Sequence, residues 1–242
     1  NNLEATTYLA NCYLNGAGVK KKTEKGLNLL RSASEQKNGH ATRCLADYYL
    51  NGIETEQNID EAIRLMKIAS DLNDETATLF LSDCYMKGQY VEEDQTKGIE
   101  YLIRASNDSV DALRTLYEYY LDKDMNEAIK YLERAADLDD LKSMEELAIF
   151  YITKLNDDQK LKSAFKLLDY CSGFPARDEF QKDIVKESSF WLALCYLNGT
   201  GVKLDEKRAF HLFERAAAQN HLPAKHYLGM CYREGKGVPA DI

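Results

Sequence analysis

The stretch Ser188–Ala217, SSFWLALCYLNGTGVKLDEKRAFHLFERAA, decides the fold of this chain. Its first half places a small residue, a leucine and a tyrosine at intervals of four, which is one face of an α-helix. Its second half places a small, a large and a small residue at intervals of four and three, again on one helical face. These positions are Ser188, Leu192 and Tyr196, followed by Ala209, Phe213 and Ala216. The stretch therefore predicts two helices joined by a short turn that contains two glycines.

The same pattern recurs along the whole chain. The tyrosine of the first helix is one of seven, at intervals of 31 to 45 residues: Tyr13, Tyr49, Tyr85, Tyr120, Tyr151, Tyr196 and Tyr232. A leucine stands four residues before each of these tyrosines, and a small residue stands eight before it. Each copy is a helical hairpin that buries its apolar faces only by stacking on its neighbours. The chain is therefore predicted to be all-α, an α/α solenoid of about six to seven helical-hairpin repeats.

The repeats indicate one continuous domain over residues 1–242. Their predicted ranges are 5–40, 41–76, 77–111, 112–142, 143–187, 188–223 and 224–242. The fifth repeat is the longest, and we expect Arg177 to Lys186 to form a short extra helix within it. The seventh repeat is truncated where its second helix would start, so we expect the chain to be a fragment of a longer protein.

Composition and charge narrow the kinds of partner. The 242 residues carry a formal net charge of -9, and a net acidic surface repels phosphates, so no nucleic-acid partner is expected. No apolar run approaches the roughly 18 residues of a membrane span, so no direct span is expected. Six cysteines in helical apolar positions favour a reducing, intracellular compartment, while a periplasmic or secreted location stays open.

Glycines follow the repeated tyrosine at fixed distances, and a glycine–lysine cluster can cradle a phosphate. Those at a distance of three residues are Gly16, Gly52, Gly88, Gly199 and Gly235. A phosphate loop follows a strand and continues as Gly-Lys-Ser/Thr, and neither feature is present. We interpret these glycines as helix C-caps, and four polar residues as N-caps of the next helices. The N-caps are Asn58, Asp94, Asp124 and Asp205.

Three stretches carry the combined pattern A-x-x-x-L-x-x-x-Y, G-x-G-V and D-x-x-x-A-x-x-L/F-x-x-x-A most clearly. They are ATRCLADYYLNG from Ala41, SFWLALCYLNGTGVKLDEKRAFHLFERAA from Ser189 and AKHYLGMCYREGKGV from Ala224. The pattern resembles the Sel-1-like repeat family and covers nearly all of the chain. This resemblance implies a right-handed α/α superhelix related to tetratricopeptide repeats, with the first helix of each pair on the concave side. It also implies scaffold or adaptor work in assembling protein complexes.

The residues that could carry chemistry occupy structural positions. Four of the six cysteines share one slot, directly before the tyrosine: Cys12, Cys84, Cys195 and Cys231. Aromatic residues fill this slot in other repeats, so we interpret the cysteines as core thiols rather than nucleophiles or disulfide partners. His221 and His226 are five residues apart, which does not suit two metal ligands on one helical face. We expect no catalytic residue, no cofactor and no metal site.

One stripe of each first helix changes character from repeat to repeat, at six and two residues before the tyrosine. It reads Thr7/Asn11, Arg43/Asp47, Leu79/Asp83, Arg114/Glu118, Glu145/Ile149, Phe190/Leu194 and His226/Met230. If the geometry of the family holds, these side chains line the concave groove. We expect the partner, a protein or an extended peptide, to contact ten of them. The ten are Arg43, Asp47, Leu79, Asp83, Arg114, Glu118, Ile149, Phe190, Leu194 and Met230.

Two structural interpretations of the stripe stay open. Arg43 with Asp47 and Arg114 with Glu118 can form ion pairs that brace an exposed helix by about 0.2–0.5 kcal/mol. Three apolar members can instead pack under the extra helix of the fifth repeat. These are Ile149, Phe190 and Leu194.

The sequence therefore favours a non-enzymatic scaffold that binds a protein or peptide on its concave face. One alternative is a module that binds glycan or cell-envelope polymer. A second alternative is a hydrolase acting on cell-wall or antibiotic substrates, for which no nucleophile, base and oxyanion donor stand together in the sequence.

Overall fold

The computed structural model describes residues 2–52, 56–107, 109–155 and 157–239. These residues form thirteen α-helices and no strand, and none of these helices is long and apolar enough to cross a membrane. The helices are α1 (Leu3–Asn15), α2 (Thr23–Glu35), α3 (Gly39–Asn51), α4 (Ile59–Asp71), α5 (Glu75–Lys87), α6 (Gln95–Ala105), α7 (Val110–Tyr120), α8 (Met125–Asp137), α9 (Leu141–Lys154), α10 (Asp158–Gly173), α11 (Glu179–Asn198), α12 (Glu206–Ala218) and α13 (Leu222–Glu234). The predicted all-α fold of tandem helical repeats is confirmed.

The odd-numbered helices are the first helices of the repeats, and they bury the face that the sequence pattern predicts. Six of their seven small positions are fully buried: Ala41, Ala77, Ala112, Ser143, Ser188 and Ala224. The leucine four residues later is buried in α3, α5, α7, α9 and α11. Leu9 in α1 differs and is 44% exposed, because α1 packs against α2 and α3, which both follow it. The buried stripe is thus set by contacts with neighbouring helices on both sides.

The even-numbered helices carry the predicted small–large–small stripe. Their first small positions are buried and are Gly26, Ala62, Gly98, Ala128, Ala164 and Ala209. A Cβ atom placed on Gly98 would lie only 2.6 Å from the Met86 side chain of α5. Small residues here therefore let the two helices of a hairpin approach closely.

The caps follow the predicted pattern as well. The five glycines three residues after the tyrosine all end a first helix in the left-handed conformation, with φ between 61° and 71°. The side chains of Asn58, Asp94, Asp124 and Asp205 accept hydrogen bonds from backbone N–H groups at the start of the next helix. The interpretation of these glycines as C-caps and of the polar residues as N-caps is confirmed.

The contacts divide the chain into two units, Asn1–Leu116 and Tyr117–Ile242. The core of the first unit includes Leu45, Met66 and Leu81. The core of the second unit is built by helices α8 to α13. The single continuous domain over residues 1–242 stays a prediction, and residues 240–242, the end of the predicted seventh repeat, lie outside the described residues.

The long fifth repeat differs from its prediction. Helix α10 runs past Cys171, and the side chain of Asp178 then caps α11 by accepting from the backbone N–H of Gln181. Residues 177–186 contain no glycine or proline, so the helix that starts there continues directly into the first helix of the sixth repeat. The prediction of a separate extra helix is therefore wrong. Instead, α11 is 20 residues long.

Two glycine turns also pack against an earlier repeat, at Gly201 and at Gly237. Gly201 has a φ of 67°, and a Cβ atom there would overlap the backbone carbonyl oxygen of Leu161 in α10. Gly18, at the same position of the first repeat, has a φ of 71°, and no atom of the described residues lies within 4 Å of such a Cβ. The backbone conformation favours glycine at both Gly18 and Gly201, but of these two only Gly201 is also required by a close contact.

Candidate partner-binding surface

The variable stripe of the first helices is largely accessible. Seven of the ten predicted contact residues are half-buried: Arg43, Asp47, Leu79, Arg114, Ile149, Leu194 and Met230. Asp83 and Glu118 are exposed. These nine side chains are able to meet a partner, whereas the tenth, Phe190, is not.

Phe190 is only 7% exposed. The centre of its ring lies 4.8 Å from that of His221, 5.6 Å from that of Tyr227 and 6.0 Å from that of Phe213, distances typical of packed aromatic rings. The expectation that Phe190 contacts a partner is therefore wrong. The alternative that Phe190 packs under an extra helix near Arg177 is wrong too, because the helix that starts there is α11 itself, which contains Phe190. The three rings around it belong to α12, to α13 and to the N-cap of α13.

In the first unit, Arg43 is neutralised within the protein. Its Nη1 atom lies 3.2 Å from Asp47 Oδ2, one turn along α3, and its Nε atom lies 3.1 Å from Asp74 Oδ1. Asp74 is also the N-cap of α5 and accepts a hydrogen bond from the backbone N–H of Ala77. Burial raises the pKa of Asp47 even though Arg43 opposes this rise. The pair of Arg43 and Asp47 is the ion pair that the bracing interpretation proposes. The second contact, with Asp74, also ties α3 to the start of α5.

In the second unit, the stripe opens into a cleft with a volume of about 630 Å³. Its walls come from α9 and α11, and His221 contributes from the start of α13. Ile149, Phe180 and Ile184 are its apolar lining, and the ring of Phe180 is 62% exposed. All three helices are first helices of their repeats, and the stripe residues Glu145 and Ile149 are both part of the lining.

Charged groups of both signs line the same cleft. Three carboxylates and two ammonium groups are present: Glu145, Asp183, Glu187, Lys142 and Lys186. The ammonium of Lys186 is paired with Asp183, and that of Lys142 lies 2.6 Å from Glu145 Oε2. The charged lining therefore has one net negative charge.

Glu145 is the most unusual of these groups because it is only 1% exposed. Its Oε2 atom accepts a hydrogen bond from Lys142, whereas its Oε1 atom has no donor among the described residues. Burial raises the pKa of Glu145, and the nearby carboxylate of Glu187 adds to the rise, while Lys142 opposes it. A buried carboxylate with an unused oxygen costs free energy of folding. Folding stability thus gives no reason for a glutamate at this position.

Glu187 is held by two uncharged donors. Trp191 Nε1 donates to Glu187 Oε1 at 2.8 Å, and His221 Nε2 lies 2.8 Å from Glu187 Oε2. The other ring nitrogen of His221 accepts from the backbone N–H of Ala224 as the N-cap of α13. The single ring proton therefore lies on Nε2 and is donated to Glu187. In this arrangement the imidazole carries no charge and leaves the charge of Glu187 uncancelled.

The cysteines do not form a reactive centre. All six are free thiols, five of them buried and Cys12 half-buried. Burial raises the pKa of Cys84 to about 11 and the pKa values of Cys171 and Cys195 to about 12. Such thiols are protonated at neutral pH and are poor nucleophiles. Among the described ranges, no group of three or more His, Cys, Asp and Glu side chains is placed to hold a metal ion.

The sequence pattern does not single out two residues of the cleft. Glu187 is the last residue of the predicted fifth repeat, directly after the predicted extra helix, where the irregular spacing hides its place in the repeat. His221 is considered in the sequence only as a metal ligand, yet the sequence also contains a signal for its role as an N-cap. It occupies the position where Asn38, Asp74 and Asp140 cap other first helices. An N-cap needs a side-chain acceptor, and the imidazole nitrogen supplies one.

Comparison with known proteins supports the repeat assignment. The family model for the Sel1 repeat matches residues 3–38, 44–74, 76–109, 116–140, 186–221 and 222–242. Residues 141–185 are unmatched, and they contain most of the long fifth repeat. No curated protein matches the chain.

Two solved structures share the fold. A protective antigen of uropathogenic Escherichia coli with an SLR fold aligns over 100% of this chain and 51% of its own, with 22% identity and a TM-score of 0.57. A Sel1 repeat protein from Oxalobacter formigenes aligns over 95% of this chain and 66% of its own, with 18% identity and a TM-score of 0.58. This chain thus spans about half of the first protein and 66% of the second. Because the family model matches most of its residues, the chain belongs to the Sel1 repeat family, whose repeats generally mediate protein–protein interaction.

Proposed function

We propose that this chain is a non-enzymatic scaffold or adaptor that binds a protein or an extended peptide on the face formed by the first helices of its repeats. The observation that carries the proposal is the cleft of the second unit, whose walls come from α9 and α11 and whose lining includes the stripe residue Ile149. The cleft combines apolar side chains with charged ones, as protein-binding surfaces do. An extended segment can lie along such a face without a closed pocket.

A catalytic role is not part of this proposal. The buried thiols of Cys171 and Cys195 have raised pKa values, so neither supplies a nucleophile at neutral pH. Nucleic acid is not the proposed partner either, because the net charge of -9 works against binding a polyanion.

Site-specific photocrosslinking in cell extract tests the binding face. A photoreactive phenylalanine analogue replaces Ile149 or Phe180 in the cleft, or Lys162, an exposed residue of the second helix α10, as the matched control. We expect one protein to crosslink through positions 149 and 180 and not through 162, with its identity established by mass spectrometry. Equal labelling at all three positions, or labelling only at 162, would contradict the proposed face.

A further inference from the structure

We infer that the cleft between α9 and α11 receives an arginine side chain of the protein partner, whose guanidinium donates to the unused Oε1 atom of Glu145. This inference rests on the proposed function, since it names the group that the partner presents to that face.

The sign of the charge favours a cation. Lys186 is paired with Asp183 and Lys142 with Glu145, each one helical turn apart. The contacts of the remaining carboxylate, Glu187, are the uncharged donors Trp191 and His221. A cation that enters the cleft therefore meets one uncancelled negative charge in surroundings where water screens it less than at an open surface.

The state of Glu145 calls for a donor. Its side chain is more than nine-tenths buried, lines the cleft and has a carboxylate oxygen without a hydrogen-bond partner in the described chain. Such an oxygen is left unsolvated in the free protein, so turning the carboxylate toward an N–H group that a partner presents in the cleft removes the cost of that burial. A charged donor does this better than a neutral one, because charge-assisted hydrogen bonds are about twice as strong.

The shape of the lining favours arginine. A guanidinium is planar and carries five N–H donors, so it is able to serve Glu145 and Glu187 together. The exposed ring of Phe180 offers a face on which a guanidinium stacks. Ile149 and Ile184 are available to cover the methylene stem of the incoming side chain.

Trp191 provides a direct readout. It is the only tryptophan of the chain, and its indole N–H donates to Glu187, so its fluorescence reports on changes at the cleft. The protein is titrated with the capped tripeptide acetyl-Leu-Arg-Leu-amide and with its uncharged isostere, in which citrulline replaces arginine. We expect a saturable change with the arginine peptide and at least about tenfold weaker binding of the citrulline peptide. Equal affinity for the two peptides, or no response to either, overturns the inference.

Two glutamine variants test whether the arginine peptide binds at Glu145. Glu145→Gln should weaken binding of the arginine peptide by at least about tenfold. Glu146→Gln is the matched control, because Glu146 is the next residue of α9 and lies 3.7 Å from the same Lys142 but does not line the cleft. It should bind as the wild type does, and circular dichroism checks that both variants are folded. Unchanged affinity in Glu145→Gln, or an equal loss in Glu146→Gln, contradicts the role of Glu145.

The photocrosslinking experiment separates this inference from the proposed function. If the partner captured at position 149 binds Glu145→Gln as tightly as the wild type, the arginine inference fails and the binding face stands. If no protein is captured at positions 149 and 180, the proposed function itself fails.

Discussion

Arg43 and Glu145 stand at the same position of their repeats, six residues before the tyrosine, yet they meet opposite surroundings. Arg43 contacts two carboxylates, one of them the N-cap Asp74 of the next first helix. Glu145 contacts one lysine and keeps an oxygen without a donor in the described chain. Asp74 stands eleven residues before its tyrosine, and the matching position of α11 is Val185, in mid-helix, because that helix starts earlier. The extension of α11 thus replaces a capping side chain with the wall of a cleft.

The difference teaches that one sequence stripe serves two purposes. Where the next first helix begins at the usual position, as α5 does, its N-cap side chain forms an ion pair with the charged stripe residue. This ion pair braces the two helices. Where that helix begins earlier, as α11 does, one carboxylate oxygen of the stripe residue Glu145 is left without a donor in the described chain. The two regions do not differ on the buried face of their first helices, where substitutions should have the largest effects.

Leu45 and Leu147 occupy the same core position in the two regions, and both are buried. Leu45→Asp and Leu147→Asp each remove roughly 1.5–3 kcal/mol of apolar burial and add an unpaired buried charge. We expect each to lower the free energy of unfolding by about 4 kcal/mol or more, and urea denaturation followed by circular dichroism measures this loss. A wild-type melt for either variant would mean that its core is not built as described.

Alanine substitutions in the glycine turns should lower the free energy of unfolding by different amounts in the two units, and by less than the core substitutions do. Gly201→Ala meets both an unfavourable φ and the carbonyl of Leu161, so we expect a loss of about 2–4 kcal/mol in the free energy of unfolding. Gly18→Ala meets the unfavourable φ alone, and we expect a loss of about 1 kcal/mol. Thermal and urea unfolding of the pair measure the difference. Equal losses would show that the approach to Leu161 contributes nothing.

Removing the ion pairs of Arg43 should have a smaller effect on the free energy of unfolding. Arg43→Met keeps most of the apolar stem but leaves Asp47 and Asp74 without their cation, and the Asp74 side chain is only 10% exposed. We expect a loss of about 1–2 kcal/mol in the free energy of unfolding, measured by urea titration. Asp47→Asn is the control, because Asp47 is 41% exposed and its pair is worth less than about 1 kcal/mol. If both variants lose equally little, Arg43 is free to serve a partner after all.

The fold was predictable from the sequence because it rests on local, repeated signals. The spacing of Ala41, Leu45 and Tyr49 sets one helical face, and Gly52 ends that helix in a conformation that glycine adopts at little cost. The same signals recur in most repeats, so the assignment of one repeat supports the assignment of the others. The exception is instructive: residues 177–186 lack a repeat partner, and nothing local marks where their helix ends.

The site was less predictable because it depends on contacts between repeats. The stripe pattern places Phe190 beside Leu194, but whether Phe190 is covered depends on the rings of α12 and α13. The same pattern contains Glu145 without showing that one of its oxygens lacks a donor, since that depends on where α11 begins. Periodicity identifies the face of a helix, whereas the depth of each side chain is decided by its neighbours.

The smallest expected effect is a dependence of the free energy of unfolding on pH, which comes from the carboxyl group of Glu145. Burial raises the pKa of Glu145 in the folded protein above its ordinary value of 4.5. As the pH rises from that value through the raised pKa, the folded protein binds more protons than the unfolded chain, so the free energy of unfolding falls. Glu145→Gln lacks this fall, and Lys142 is still able to donate to the new amide oxygen. The variant should therefore become more stable relative to the wild type as the pH rises from acidic to neutral.

Urea unfolding of both proteins across this range measures the difference. The charged neighbours Lys142, Glu146 and Glu187 are the same in both, so the difference between the two curves isolates the carboxyl group of Glu145. A stabilised variant that also loses the arginine peptide would show that a binding group is kept at a cost in stability. A difference that does not change with pH would mean that Glu145 is solvated like a surface carboxylate. The unused oxygen of Glu145 would then carry no cost in stability, and the contrast with the fully paired Arg43 of the first unit would disappear.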